Sequence, residues 1–193
     1  VRPSQEAETL AHQTEKDPRL VQLILNESAE VMRSKPGVII VRHKLGHVGA
    51  NAGIDQSNIE QGEGESALLL PENPDESASL LKKSIDKRLD IDVGIIIADS
   101  MNRPWRLGTV GEAIGCAGIM VLDDRRGETD LFGRELKVTL INRADAIAAF
   151  ATLAMGETTE KTPLAIISGW EQEFGEGGGA AEIMRPIEDD LFN

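Results

Sequence analysis

The sequence predicts a mixed α+β fold with a largely antiparallel sheet and packed helices. Short apolar runs rich in β-branched residues, such as Val93–Ala98, predict strands, while other segments show the apolar spacing of helices. A strand–helix–strand order occurs once, over residues 67–98, but the remaining elements do not alternate as a doubly wound sheet requires. With 193 residues, 40% of them hydrophobic, the chain is long enough for a sizeable core and too apolar for a disordered protein.

Two helices are predicted at the start of the chain. Ser4 is a candidate N-cap for a helix over residues 4–15. Asp17-Pro18 supplies the N-cap and first-turn proline of a second helix. Apolar spacing continues to Met32, so this helix is predicted to run until it meets Pro36.

The rest of the chain is predicted to mix strands and helices without a regular alternation. In order, the predicted elements are strands 38–42, 45–50 and 67–70, helix 76–89, strands 93–98 and 136–141, helix 144–155 and strand 163–168. Asn142 is the expected N-cap of the helix over 144–155, and Gly156 is expected to end it. His43 and His47 are expected to be structural histidines, because no cysteine lies near them to complete a zinc site.

The stretch 93–108 places metal-binding and anion-binding residue types close together. Its apolar strand is predicted to end at Asp99 and Ser100, and a loop carrying Arg103 and Arg106 follows. Carboxylate and hydroxyl oxygens bind hard cations, and guanidinium groups pair with phosphate or carboxylate. The stretch therefore indicates phosphate handling with a metal ion. The alternative is an Asp that caps a turn beside two surface arginines.

Two further positions are candidates for the same site. Residues 51–58 place Asp55 and Asn58 in a segment of small and polar residues, although such a segment is also typical of an ordinary turn between strands. Glu157 directly follows Gly156 at the negative end of a predicted helix dipole. A free carboxylate is unfavourable there and a carboxylate that binds a cation is favourable, so the position argues for Glu157 as a metal ligand.

Composition excludes several classes of partner. The formal net charge of −13 argues against a basic face for DNA or RNA, but it permits a small anionic ligand at a local arginine or metal site. No apolar run reaches the roughly 20 residues that a membrane span needs, and the first ten residues lack a signal-peptide core. The single cysteine excludes an internal disulfide. We therefore expect a cytoplasmic protein with no nucleic-acid or membrane partner.

Six short motifs of this chain resemble, in order and spacing, those of the coenzyme F420:L-glutamate ligase family, the F420-0:gamma-glutamyl ligases. The motifs are ANAGIDQSN (50–58), LLLPENPDESA (68–78), IIADSMNRPWRLG (96–108), AIGCAGI (113–119), DLFGREL (130–136) and LAMGE (153–157). Each motif alone has little specificity, whereas six in one order over nearly the whole chain are highly specific.

The resemblance implies a reaction and its cofactors. The family joins L-glutamate to the lactyl carboxylate of the deazaflavin precursor F420-0 through an acyl phosphate, and it converts GTP to GDP and phosphate. It requires a divalent metal, Mg²⁺ or Mn²⁺, and K⁺ favours its activity. Its members are homodimers with a mixed α+β fold.

The resemblance also assigns residues. The family's metal-ligand positions correspond to Asp55, Asp99, Ser100 and Glu157. Its nucleotide contacts correspond to Asn58 and to the segment that begins Met155, Gly156, Glu157. Arg103 and Arg106 are our own candidates for catalytic residues that hold phosphate or carboxylate oxygens, since the guanidinium fork suits both groups.

The chain departs from the family pattern in two places. Asn102 stands where the family usually has Gly before the loop arginine, and Asn tolerates the left-handed backbone such a turn needs. Family members carry further residues before the point that matches Val1, including a nucleotide-contacting loop. Residues 1–193 are therefore expected to form one ligase domain, truncated at its N-terminus relative to the family. Two alternatives remain: a related ligase for another carboxylate, and a non-catalytic dimeric remnant that binds metal or nucleotide.

Overall fold

The computed structural model describes residues 1–60, 64–169 and 177–191. The chain forms two compact units: Val1–Glu72 with Met101–Val110, and Asn73–Ser100 with Gly111–Asn193. Helices and small antiparallel sheets occur together, so the predicted mixed α+β fold is confirmed. No helix in the described ranges is both long enough and apolar enough to cross a membrane.

The first unit packs two helices with a three-stranded antiparallel sheet. Its elements are α1 Gln5–Thr14, α2 Pro18–Glu27, β1 Ser28–Lys35, β2 Val38–His43 and β3 Val48–Ala50, and the sheet order is β1-β2-β3. Its buried core consists of Ala7, Ala11, Val21, Ile24, Ile39, Val41 and Ala52. Both helices start as predicted: Ser4 Oγ accepts a hydrogen bond from the backbone N–H of Ala7, and Asp17 Oδ1 accepts one from Arg19.

The second helix is shorter than predicted. α2 ends at Glu27, and the residues predicted to continue it through Met32 form β1 instead. β1 pairs with β2 across the tight turn at Gly37, whose φ is +85°. This pairing supplies backbone hydrogen bonds that outweigh a weak helix propensity. Val31 is 37% exposed on the strand, so the apolar spacing that included it did not indicate a buried helix face.

The second unit is built around a strand that the sequence did not predict. Its elements are α3 Pro74–Leu89, β4 Ile95–Asn102, β5 Thr109–Ala117, β6 Leu122–Asp124, β7 Leu140–Asn142 and α4 Arg143–Met155. The last two residues of β4 and the first two of β5 are assigned to the first unit. β4 and β5 form a two-stranded sheet, and β6 pairs with β7 antiparallel. β5 was missed because four of its nine residues are glycine or alanine, which are depleted in strands.

Four other strand predictions need correction. β4 continues through Asp99 and Ser100 rather than ending there, because pairing with β5 satisfies the backbone whatever the side-chain polarity. The strand predicted over 136–141 shrinks to β7, and the one over 67–70 is a single bridge from Leu68 to Asp55. Residues 163–168 form no strand, and Ile166 is 86% exposed, since no described neighbour pairs with this apolar segment.

Two aspartates from helix first turns hold β5 in place. Asp75 Oδ1 accepts a hydrogen bond from Cys116 N at 2.8 Å, and Asp145 Oδ1 accepts one from Ala113 N at 2.8 Å. The helices lie so close to the strand that a Cβ on Gly115 would be 2.4 Å from the carbonyl oxygen of Pro74. Each aspartate thus replaces a neighbouring strand as a hydrogen-bond acceptor for β5.

Candidate functional site

Ser100 and Glu157 are in direct contact. Ser100 Oγ donates a hydrogen bond of 2.5 Å to Glu157 Oε1, which joins β4 to the residue that follows α4. α4 begins at the predicted N-cap, where Asn142 Oδ1 accepts from Asp145 N, and it ends at Gly156 as predicted. Gly156 has a φ of +78°, a value that glycine adopts without strain. The glycine therefore turns the chain so that Glu157 reaches the strand.

Asp99 lies beside this contact in the sequence. Both Asp99 and Ser100 belong to β4, and Asp99 is half-buried whereas Ser100 is exposed. Successive side chains of a regular strand lie on opposite faces, so Asp99 and Ser100 are expected to present their oxygens on different faces of β4. The donor atoms of all three residues are oxygens, as a hard cation requires.

Asp55 lies in the first unit, in a tight turn. Its Oδ1 accepts hydrogen bonds from the backbone N–H and the hydroxyl of Ser57, both at 2.7 Å. Asn51 and Asn58 have positive φ angles of 53° and 52°, which asparagine tolerates better than most residues. The turn that was the alternative prediction for this segment is therefore present, and it presents Asp55 and Asn58 on one short loop.

The predicted arginines lie on the connection between β4 and β5. Arg103 and Arg106 are both exposed, on either side of a turn at Pro104 and Trp105. Residues 101–110 belong to the first unit. Trp105 was not singled out from the sequence. Its φ is +65°, and a tryptophan gives no sequence signal of a positive φ as a glycine does.

The predicted residues divide between the two units. Asp55, Asn58, Arg103 and Arg106 belong to the first, and Asp99, Ser100, Met155, Gly156 and Glu157 belong to the second. Over the ranges 1–60, 64–169 and 177–191, no three His, Cys, Asp or Glu side chains form a group that could hold a metal ion. Each unit thus carries a part of the predicted oxygen-donor set.

The second unit also contains a cavity of about 400 Å³ that sequence reasoning missed. It is bordered by α3, by the end of β5, and by Gly177 and Gly179. Lys82, which borders the cavity, forms ion pairs with Asp86 at 2.8 Å and with Asp92. Cys116 borders the cavity with 3% exposure, and burial, followed by the charges of Asp75 and Asp145, raises the pKa of its thiol to about 12. A buried thiol whose pKa is raised in this way stays protonated and is a poor nucleophile.

Comparison with known proteins decides the family. Residues 1–169 match the family described as F420-0:Gamma-glutamyl ligase. This chain belongs to that family. It is 48% identical over 190 residues to the "Coenzyme F420:L-glutamate ligase" of Methanocaldococcus jannaschii, a match that covers 98% of this chain and 74% of that protein. The proteins of the same name from Methanopyrus kandleri and Archaeoglobus fulgidus are 44% and 43% identical, over 100% and 98% of this chain and 76% and 74% of theirs.

All of the predicted site residues lie within the part of this F420-0:gamma-glutamyl ligase chain that matches the family. Every predicted metal, nucleotide and arginine position, from Asp55 to Glu157, lies within residues 1–169. The chain spans about three quarters of the length of the three relatives. The family resemblance expected from six short motifs is therefore confirmed.

Proposed function

We propose that this chain is a GTP-dependent ligase that adds L-glutamate to the lactyl carboxylate of F420-0. The observation that carries the proposal is the family match over residues 1–169, together with relatives named coenzyme F420:L-glutamate ligase that align with nearly the whole chain. The contact between Ser100 and Glu157 supports it locally, because it joins two oxygen donors from segments far apart in the sequence.

The proposed reaction forms the amide bond in two displacements. A carboxylate oxygen of F420-0 attacks the γ-phosphorus of GTP, the bond to the β-phosphate oxygen breaks, and GDP leaves. The amine of glutamate then attacks the acyl carbon, loses a proton, and expels inorganic phosphate that carries the original carboxylate oxygen. One GTP is thereby converted to GDP and phosphate for each amide bond.

The donor chemistry of the predicted metal set fits a hard divalent cation. Asp55, Asp99, Ser100 and Glu157 offer only carboxylate and hydroxyl oxygens, which suit Mg²⁺ or Mn²⁺ and not a thiophilic metal. A bound divalent ion supplies charge neutralisation at the phosphate oxygens of the nucleotide. We further propose K⁺ as a second cation and assign no residue to it.

The remaining residues of the site bind the nucleotide and the reacting groups. Asn58 and the segment Met155, Gly156 and Glu157 are the proposed nucleotide contacts. Arg103 and Arg106 are proposed to hold oxygens of the substrate carboxylate or of the transferred phosphoryl group, with two donors from each planar guanidinium. These groups would orient the carboxylate toward the phosphorus and stabilise the charge that gathers during transfer.

We also propose that two copies of the chain form a homodimer. Several large apolar side chains of the second unit are nearly fully exposed: Leu131 at 98%, Phe132 at 94%, Ile166 at 86% and Leu153 at 82%. Exposed large apolar side chains are a feature of association surfaces, and a second copy would remove these side chains from water. Light scattering after size exclusion tests this proposal, and a monomer at micromolar concentration contradicts it.

Isotope transfer tests the proposed reaction. The chain is incubated with GTP, Mn²⁺, glutamate and F420-0 labelled with ¹⁸O in its carboxylate, and the products are analysed by mass spectrometry. We expect a product heavier by one glutamyl residue and one labelled oxygen in the inorganic phosphate. Hydroxylamine in place of glutamate should give a hydroxamate. Amide formation without label in the phosphate contradicts the acyl phosphate, and absence of product in a folded protein contradicts the ligase proposal.

A further inference from the structure

The turn between β4 and β5 places a tryptophan where a glycine is expected. Pro104 and Trp105 are its central residues, and Trp105 has a φ of +65°. Proline followed by a residue with positive φ is the arrangement of a type II turn, whose second central position is normally glycine. A bulky side chain at this position strains the backbone.

Burial of the indole among the described residues does not offset this strain. The side chain of Trp105 is 91% exposed, so it gains almost no burial energy from its own unit. A strained and exposed indole does not stabilise the turn that carries it. Such backbone outliers are concentrated at ligand clamps and other functional sites.

The surroundings of Trp105 are cationic in an otherwise acidic chain. The turn brings the α-carbons of Arg103 and Arg106 to within about 7 Å of each other, with the indole between them in sequence. Residues 101–110 contain no Asp or Glu, although the chain has 33 of them and a net charge of −13. An exposed indole with an arginine on either side of it in the turn suits a flat aromatic ligand that carries an acidic group.

We propose that Trp105 is the platform on which the planar deazaflavin ring of the acceptor substrate stacks, while Arg103 and Arg106 bind its acidic end. The inference rests on the proposed function, because that function supplies a substrate with both a fused aromatic ring and a carboxylate. It adds a binding residue for the ring, whereas the proposed site so far contacts only the nucleotide, the metal and the reacting acid. Stacking of the bound substrate on the indole then offsets the strain of the turn.

Binding of the isolated ring tests this proposal without requiring catalysis. The probe is the deazaflavin chromophore without its acidic tail, and its dissociation constant is measured by equilibrium dialysis with Trp105→Leu, Trp105→Phe and Leu107→Ala. Leu107 is a matched control because it is fully exposed in the same loop. We expect roughly tenfold weaker binding for Trp105→Leu from the loss of stacking, less than about threefold for Trp105→Phe, and no change for Leu107→Ala.

Two results would overturn the proposal. Unchanged ring binding in Trp105→Leu excludes the stacking role. A shift of the oligomeric state in Trp105→Leu, with ring binding unchanged, means instead that a second copy covers the indole. The proposed function fails separately: if the chain forms no amide product but Trp105→Leu still loses ring binding, the platform stands and the ligase reaction does not. If ligation proceeds, Trp105→Leu should raise the KM for the acceptor and leave the KM for GTP unchanged.

The stability of a glycine variant provides a second readout. Trp105→Gly removes the strained side chain at a position with positive φ, so its melting temperature should rise while ring binding falls. A lower melting temperature contradicts the proposal, because it means that the indole packs against the protein and serves the fold.

Discussion

The hydroxyl of Ser100 donates a hydrogen bond to Glu157, a residue 57 positions further along the chain. The contact depends on β4 continuing through Ser100 and on α4 ending at Gly156, whose positive φ lets the chain turn back. It joins two members of the proposed metal set. Substitutions at Ser100 or Glu157 should therefore act on metal binding through the charge of the ligand rather than through packing.

Asp75 should be essential to the stability of the second unit. Its Oδ1 accepts hydrogen bonds from Cys116 N at 2.8 Å and from Ala180 N at 2.7 Å. Asp75→Ala leaves both N–H groups without this acceptor, and each should cost about 1–3 kcal/mol of the free energy of unfolding. Urea denaturation measures the loss, with the exposed Glu72→Ala as control. Equal stability of the two variants would mean that water replaces the carboxylate at no cost.

Gly115 should not tolerate a methyl group. A Cβ there would lie 2.4 Å from the carbonyl oxygen of Pro74, a backbone atom that cannot move without displacing the start of α3. We expect Gly115→Ala to lower the free energy of unfolding by about 1–3 kcal/mol through overpacking. Gly64→Ala is the matched control, because nothing lies within 4 Å of its Cβ position. The contact between α3 and β5 is not as tight as described if thermal melts of the two variants coincide.

Acid should destabilise the first unit through His43. Its Nδ1 accepts a hydrogen bond from Leu45 N at 3.0 Å, and Glu27 lies 3.6 Å from its Nε2. Burial lowers the pKa of His43 from its ordinary 6.5, and Lys44 lowers it further, whereas Glu27 opposes the shift. The unfolded chain therefore binds this proton more readily than the folded one. Stability should be complete above pH 6.5 and fall as the pH drops through and below that value.

Urea denaturation at about pH 7.5 and about pH 5 measures this dependence. We expect the stability of His43→Gln to change less between the two conditions than that of the unmodified chain. His12→Gln, at an exposed position of α1, should keep the full dependence. An equal acid response in all three proteins would assign the effect to other groups.

Elements with strong terminal signals were predictable from the sequence. Ser4, Asp17-Pro18, Asn142 and Gly156 fix helix ends through local hydrogen bonds and backbone angles, and all four predictions are confirmed. β1 and β5 were not predictable in this way. Their strands depend on partners that local sequence does not reveal: β2 for β1, and β4 together with two aspartate side chains for β5.

The candidate site was predictable in part for the same reason. Glu157 was singled out by its place at a helix end. The structure shows it in contact with Ser100, and its role as a metal ligand stays a prediction. The division of the predicted residues between two units could not be predicted, because it depends on which segments pack together. The positive φ of Trp105 could not be predicted either, since type II turns are recognised in a sequence by a glycine at this position.

Binding of Mn²⁺ to this chain, measured by electron paramagnetic resonance with and without GDP, tests the central claim most directly. Glu157→Gln keeps an oxygen that can accept from Ser100 but removes the charge, and Glu135→Gln removes a charge from an exposed position elsewhere. The proposed site predicts Mn²⁺ binding at least about tenfold weaker for Glu157→Gln and unchanged for Glu135→Gln. Equal Mn²⁺ affinity in Glu157→Gln and the unmodified chain would contradict the assignment of Glu157 as a metal ligand.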